Sequence, residues 1–126
     1  MSRREKGLYE ERVAGFLEPG EHVEAFLTGR AASFARIFFP FGKVDRQALL
    51  TDRNLYVFEL EGSERWLGGT PSRVLSKHPR GDAPARYKYF PPALVVGEEE
   101  IRPAGRTMVM RAKPMAKSAS VAPVLT

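Results

Sequence analysis

Residues 3–17 carry a helical pattern. Tyr9, Val13, Phe16 and Leu17 fall at i, i+4, i+7 and i+8, one face of a helix. Ser2 and Glu5 have the spacing of a capping box, and Glu18-Pro19-Gly20 stops the run. Gly7 and Gly15 weaken it, by about 1 kcal/mol each relative to alanine. The period then drops to two. Val23, Ala25 and Leu27 alternate with His22, Glu24 and Thr28, which predicts a strand over 22–30. Phe26 breaks that alternation and implies partial cover on the second face. Segments 44–50 and 55–60 predict a hairpin around Thr51-Asp52-Arg53-Asn54, since Asp opens such turns and Asn tolerates the left-handed conformation that ends them.

Shorter strands follow at 65–67, 73–76 and 86–90. Segments 93–96 and 100–102 flank Gly97-Glu98-Glu99 as a second hairpin, and 78–84 reads as a loop. Pro114 limits any helix within 106–117 to a few turns. One helix followed by about seven short strands predicts a mainly β fold, a small antiparallel barrel or sandwich. The chain reads as a single domain over 1–117 with an N-terminal amphipathic helix, room for a short C-terminal helix, and a disordered tail over 118–126.

Composition changes this picture little. With 126 residues, 43% hydrophobic and 28% charged, one ordinary core is affordable. The absence of cysteine excludes disulfides, thiol nucleophiles and thiolate metal sites. No apolar run approaches the roughly 20 residues that span a bilayer, and no signal-peptide pattern opens the chain, so a cytoplasmic location is expected. The charge is more informative. All 15 acidic residues precede position 101, whereas Arg102, Arg106, Arg111, Lys113 and Lys117 follow it. The net charge of +5 is therefore a C-terminal property, open to nucleic acid, anionic lipid, an acidic partner or plain solvation.

Leu17-Glu18-Pro19-Gly20-Glu21-His22-Val23 resembles the opening of small bacterial pleckstrin-homology-like (PH-like) proteins. Thr51-Asp52-Arg53, followed by the apolar run 55–58, resembles their hairpin. Thr70 to Leu75 and Pro79-Arg80-Gly81 are similar to an uncharacterised actinobacterial branch of that group. The resemblance covers roughly residues 5–103. It implies a small barrel that binds lipids, peptides or proteins, closed by an amphipathic helix. It does not imply an enzyme. Pro114 departs from that closing helix.

No residue set reads as catalytic. His22 and His78 lack the further ligands a metal site needs. Glu98-Glu99-Glu100 reads as a solvated turn. Gly68-Gly69-Thr70 lacks phosphate-loop spacing. Arg86 to Phe90 interleaves cations with aromatics as single-strand binders do, but strand alternation writes the same text, and nucleic acid is disfavoured. Asp52 is expected to cap its own turn, with Arg53 as the competing anion contact.

The unusual feature is the 31–43 loop, where Phe34, Ile37, Phe38, Phe39 and Phe41 stand with Arg36 and Lys43. Three readings stay open: core packing, a protein interface, and insertion into an anionic membrane. The expected function is a non-catalytic module making protein contacts, including self-association, through these seven residues. Peripheral binding to anionic lipid through the same loop and the basic C-terminal segment is the alternative. No cofactor, metal or small-molecule substrate is expected.

Overall fold

The structure, a computed structural model, describes residues 3–31, 44–61 and 70–121. The element order is α1 (Arg3–Val13), β1 (Val23–Ala31), β2 (Arg46–Thr51), β3 (Asn54–Glu61), β4 (Thr70–Pro79), β5 (Ala85–Tyr89), β6 (Pro92–Val96), β7 (Glu99–Pro103) and α2 (Arg106–Ala119). The strands form one antiparallel sheet in the order β4-β3-β2-β1-β7-β6-β5. The expected mainly β class with an N-terminal helix holds. The sheet is open, with β4 and β5 as its edges.

The central strands are buried on both faces because a helix covers each. On one face Leu27, Leu50, Leu55, Val57, Leu94 and Ile101 pack beneath Ala112, Met115 and Ala119 of α2. On the other, Tyr9 and Val13 of α1 cover Val23, Phe26, Leu49, Tyr56 and Phe58. The register of β1 against β2 shifts between Val23 and Ala25. This bulge turns Val23 and Phe26 toward α1 and Ala25 and Leu27 toward α2, which explains the broken alternation. Tyr9 stacks on Phe26 with ring centroids 3.8 Å apart. Burial pushes its hydroxyl up to about 12, with Gln47 beside it pulling the other way.

Three sequence expectations need correction. The first helix ends at Val13, not 17, and residues 14–16 form a turn in which the Phe16 N–H donates to the Val13 carbonyl at 2.8 Å. Strand β4 runs from Thr70 to Pro79, longer than 73–76 and into the expected loop, because its whole length pairs with β3. The C-terminal helix has 14 residues and passes through Pro114. Proline inside a helix costs about 3 kcal/mol. Here the ring stands on the exposed face, while Ala112, Met115, Ala116 and Ala119 on the opposite face bury apolar surface on both sides of it. Packing outweighs propensity. The helix also claims Ser118 and Ala119 from the expected tail, and Ala119 is fully buried. The predicted strand 65–67 lies outside the described residues.

Candidate functional site

Three of the segments that carry the PH-like resemblance, 17–23, the 51–54 turn and 79–81, meet at one end of the sheet. Pro19-Gly20 makes a turn with Gly20 at φ 78°, a conformation that favours glycine. The turn places Glu21 against the β2–β3 hairpin, where its carboxylate is 6% exposed. It accepts hydrogen bonds from the Thr51 hydroxyl, from Tyr56 OH at 2.5 Å, from Asn54 Nδ2 at 2.9 Å and from the Glu18 N–H at 2.9 Å. Asn54 Nδ2 also donates to Glu18 Oε2 at 2.9 Å. Thr51 Oγ1 accepts from the N–H groups of Arg53 and Asn54 at 3.1 and 2.9 Å, so threonine, not Asp52, caps the turn. Asp52 Oδ1 instead accepts the His22 N–H at 2.9 Å, and Arg53 Nη1 donates to the Pro19 carbonyl at 3.0 Å.

The electrostatics follow from this geometry. Burial works to raise the Glu21 pKa, but the hydrogen bonds from Thr51, Tyr56, Asn54 and Glu18 outweigh it and hold the carboxyl below its ordinary range. Burial, reinforced by the Glu21 charge, pushes the Tyr56 hydroxyl well above its ordinary range. Proton exchange at neutral pH is thereby disfavoured at both groups. The cluster clamps the chain together.

Pro79-Arg80-Gly81 extends the clamp. The Arg80 N–H donates to the Arg53 carbonyl at 2.9 Å and the Gly81 N–H to the Ala119 carbonyl at 3.0 Å. The Arg80 guanidinium pairs with Glu24 at 2.8 Å and donates to the Ser118 carbonyl at 3.2 Å, tying the end of α2 to β1.

The other singled-out residues fall apart from one another. His22 Nδ1 lies 3.4 Å from Glu10 Oε1, and His78 sits in β4 opposite Leu55. Among the described residues no group of three or more His, Asp or Glu side chains is placed to hold a metal ion. Glu98 lies in the turn, whereas Glu99 approaches Arg46 at 4.0 Å and Glu100 pairs with Lys88 at 3.0 Å. Only part of that acidic run is a solvated turn. In β5, Tyr87 packs on the core, yet Tyr89 is 67% and Phe90 90% exposed, so the aromatics there do not all point inward.

Phe34, Arg36, Ile37, Phe38, Phe39, Phe41 and Lys43 lie outside the described residues. The points where that segment departs and returns are described. Pairing of Gly29 with Arg46, Arg46 with Glu59, and Glu61 with Thr70 puts the end of β1, the start of β2, the end of β3 and the start of β4 along one edge. This is the end opposite the Glu21 clamp. Segments 32–43 and 62–69 both leave from it. Around these departures the four cations Arg30, Arg46, Arg73 and Arg102 are equalled in number by the acids Asp45, Glu59, Glu61 and Glu99; Arg46 pairs with Asp45 at 3.5 Å and Arg73 with Glu59 at 2.5 Å.

Two shallow clefts of about 240 and 250 Å³ flank α2, one against Leu8 and Phe26, the other against Lys6 and Leu50. Arg111 borders both, with its guanidinium 4.8 Å from the Phe26 ring centroid. Among the described residues no helix is long and apolar enough to cross a membrane. No protein-family model matches the chain, and no curated protein or solved structure matches it.

Proposed function

We propose that this chain is a non-catalytic, PH-like binding module whose 32–43 segment makes protein contacts, in the first instance with a second copy of itself. The observation that carries this reading is the common edge from which 32–43 and 62–69 both leave. The segment with Phe34, Ile37, Phe38, Phe39 and Phe41 in its sequence and the segment with Trp66 and Leu67 are both joined to the sheet at that edge. Aromatic residues gathered at one end suit an interface. The closing helix α2, packed across the sheet, supports the PH-like reading. At the other end Glu21, Thr51, Asn54 and Tyr56 bond to one another in the clamp.

Charge favours protein over lipid at this edge. The described cations around it are matched in number by acids, so the described residues there do not concentrate anionic headgroups. Sedimentation velocity over a dilution series tests the proposal. The native chain self-associates with rising concentration, and Phe38→Asp combined with Phe39→Asp is monomeric with an unchanged melting temperature. A native chain that stays strictly monomeric at the highest concentration reached removes the self-association reading.

A further inference from the structure

The second face of interest is the outward side of α2. At 3.6 residues per turn Arg106, Met110, Lys113 and Lys117 fall on one narrow stripe of α2, opposite the buried Ala112, Met115, Ala116 and Ala119, and Val121 follows just past the end of the helix. All five positions are exposed, and the helix contains no acidic residue. The large hydrophobic side chains most exposed among the described residues are Leu8, Tyr89, Phe90, Met110 and Val121. Met110 stands on the stripe, and Val121 follows just past the end of α2. The Tyr89 ring lies 5.4 Å from Lys113 Nζ, and Phe90 follows it in the turn, 90% exposed. Leu8 lines the cleft beside Met108 and Arg111.

We propose that this face docks on an anionic membrane surface, with the stripe cations at the phosphates and Phe90, Met110 and Val121 in the headgroup–acyl boundary. Two observations select that occupant. The charge is one-signed along the stripe, unlike the matched charges where 32–43 and 62–69 leave the sheet. The apolar side chains stand apart, separated by Arg106, Lys113 and Lys117, and line no deep groove. A protein partner needs a contiguous apolar patch or groove, whereas a bilayer interface needs neither. Lysine and arginine stems reach the interface with their heads in water. This site is distinct from the 32–43 segment and does not rest on the reading given to it.

Co-sedimentation with vesicles is the test. The full chain pellets with phosphatidylcholine vesicles containing about one third phosphatidylserine and not with pure phosphatidylcholine, and added salt weakens the binding. Lys113→Gln with Lys117→Gln weakens it about twenty-five-fold, taking each lysine near an anionic surface as worth about five-fold. Phe90→Ser weakens it roughly ten-fold through lost apolar insertion. All three positions are exposed, so unchanged melting temperatures verify that the variants fold. Phe38→Asp with Phe39→Asp keeps vesicle binding, which separates this site from the protein contact. Equal recovery on neutral vesicles overturns the proposal, as does indifference to the lysine pair. Binding of a thymidine oligonucleotide that the lysine pair abolishes, with no vesicle binding, also overturns it and assigns the face to nucleic acid.

Discussion

Glu21→Ala lowers the free energy of unfolding by about 4 kcal/mol, the largest single loss expected in the chain outside its apolar cores. The reason is the number of donors it abandons. Tyr56 OH, the Thr51 hydroxyl and Asn54 Nδ2 all converge on this carboxylate from buried residues. A buried donor left without an acceptor costs about 1–3 kcal/mol, and some of them re-pair locally. A domain of this kind holds only about 5–15 kcal/mol in total, so the variant melts some 15 °C lower. Glu21→Gln keeps the shape and one acceptor oxygen and falls between the two. Tyr56→Phe costs about 1–2 kcal/mol in the native chain but nearly nothing in the Glu21→Ala background, because its partner is already gone. Urea unfolding of the four proteins measures this cycle. A Glu21→Ala chain within 1 kcal/mol of native stability sinks the clamp.

The same carboxylate sets an acid limit. Its folded pKa lies below the ordinary value of 4.5, so it contributes stability that is present above about pH 4.5 and lost as pH falls through the lowered value. Glu21→Gln has no such proton to take up. The stability gap between the native chain and Glu21→Gln is therefore constant above pH 4.5 and narrows below it. A gap that widens on acidification contradicts the sign.

Local chemistry was legible in the sequence; what depends on distant partners was not. The hairpin turning at 51–54 was readable because its turn residues and flanking apolar runs are adjacent. Phe26 signalled a second covered face, and the bulge and α1 supply it. The role of Glu21 was hidden because a glutamate after Pro-Gly reads as a solvated turn acid. Its donors lie 30 to 35 positions away at Thr51, Asn54 and Tyr56. The co-occurrence of Pro19-Gly20-Glu21 and Thr51-Asp52-Arg53, the two motifs on which the resemblance to PH-like proteins rests, was the available signal. Helix α2 was underestimated because Pro114 is a local penalty and the compensation is tertiary. The basic C-terminal segment was legible as charge, but not which of its cations share the outward face of α2, since that depends on the sheet beneath the helix. The seven residues of the expected binding site fall outside the described residues, so their proposed role rests on where the chain leaves and rejoins the sheet.

Gly29→Ala destabilises the fold by about 3 kcal/mol, at the point where the two halves of the sheet join. Strand β1 pairs with β2 from Val23 to Gly29 and with β7 from Gly29 to Ala31, so Gly29 is the residue shared by both ladders. A Cβ placed there meets the Arg102 carbonyl oxygen at 2.2 Å and Ile101 Cγ2 at 2.9 Å. The first contact is with backbone, which moves only by parting β7 from β1. Glycine inside a strand often marks such a close approach. Hydrogen exchange locates the damage. Amides of Arg30 to Ala31 and of β7 lose protection in Gly29→Ala, while those shared by β3 and β4 keep theirs. Gly7→Ala supplies the opposite sign. Its Cβ meets nothing within 4 Å, and it sits inside α1, where alanine is favoured by up to about 1 kcal/mol. Both changes add one methyl group. If Gly29→Ala proves as benign as Gly7→Ala, the β1–β7 seam is not as close as the structure has it.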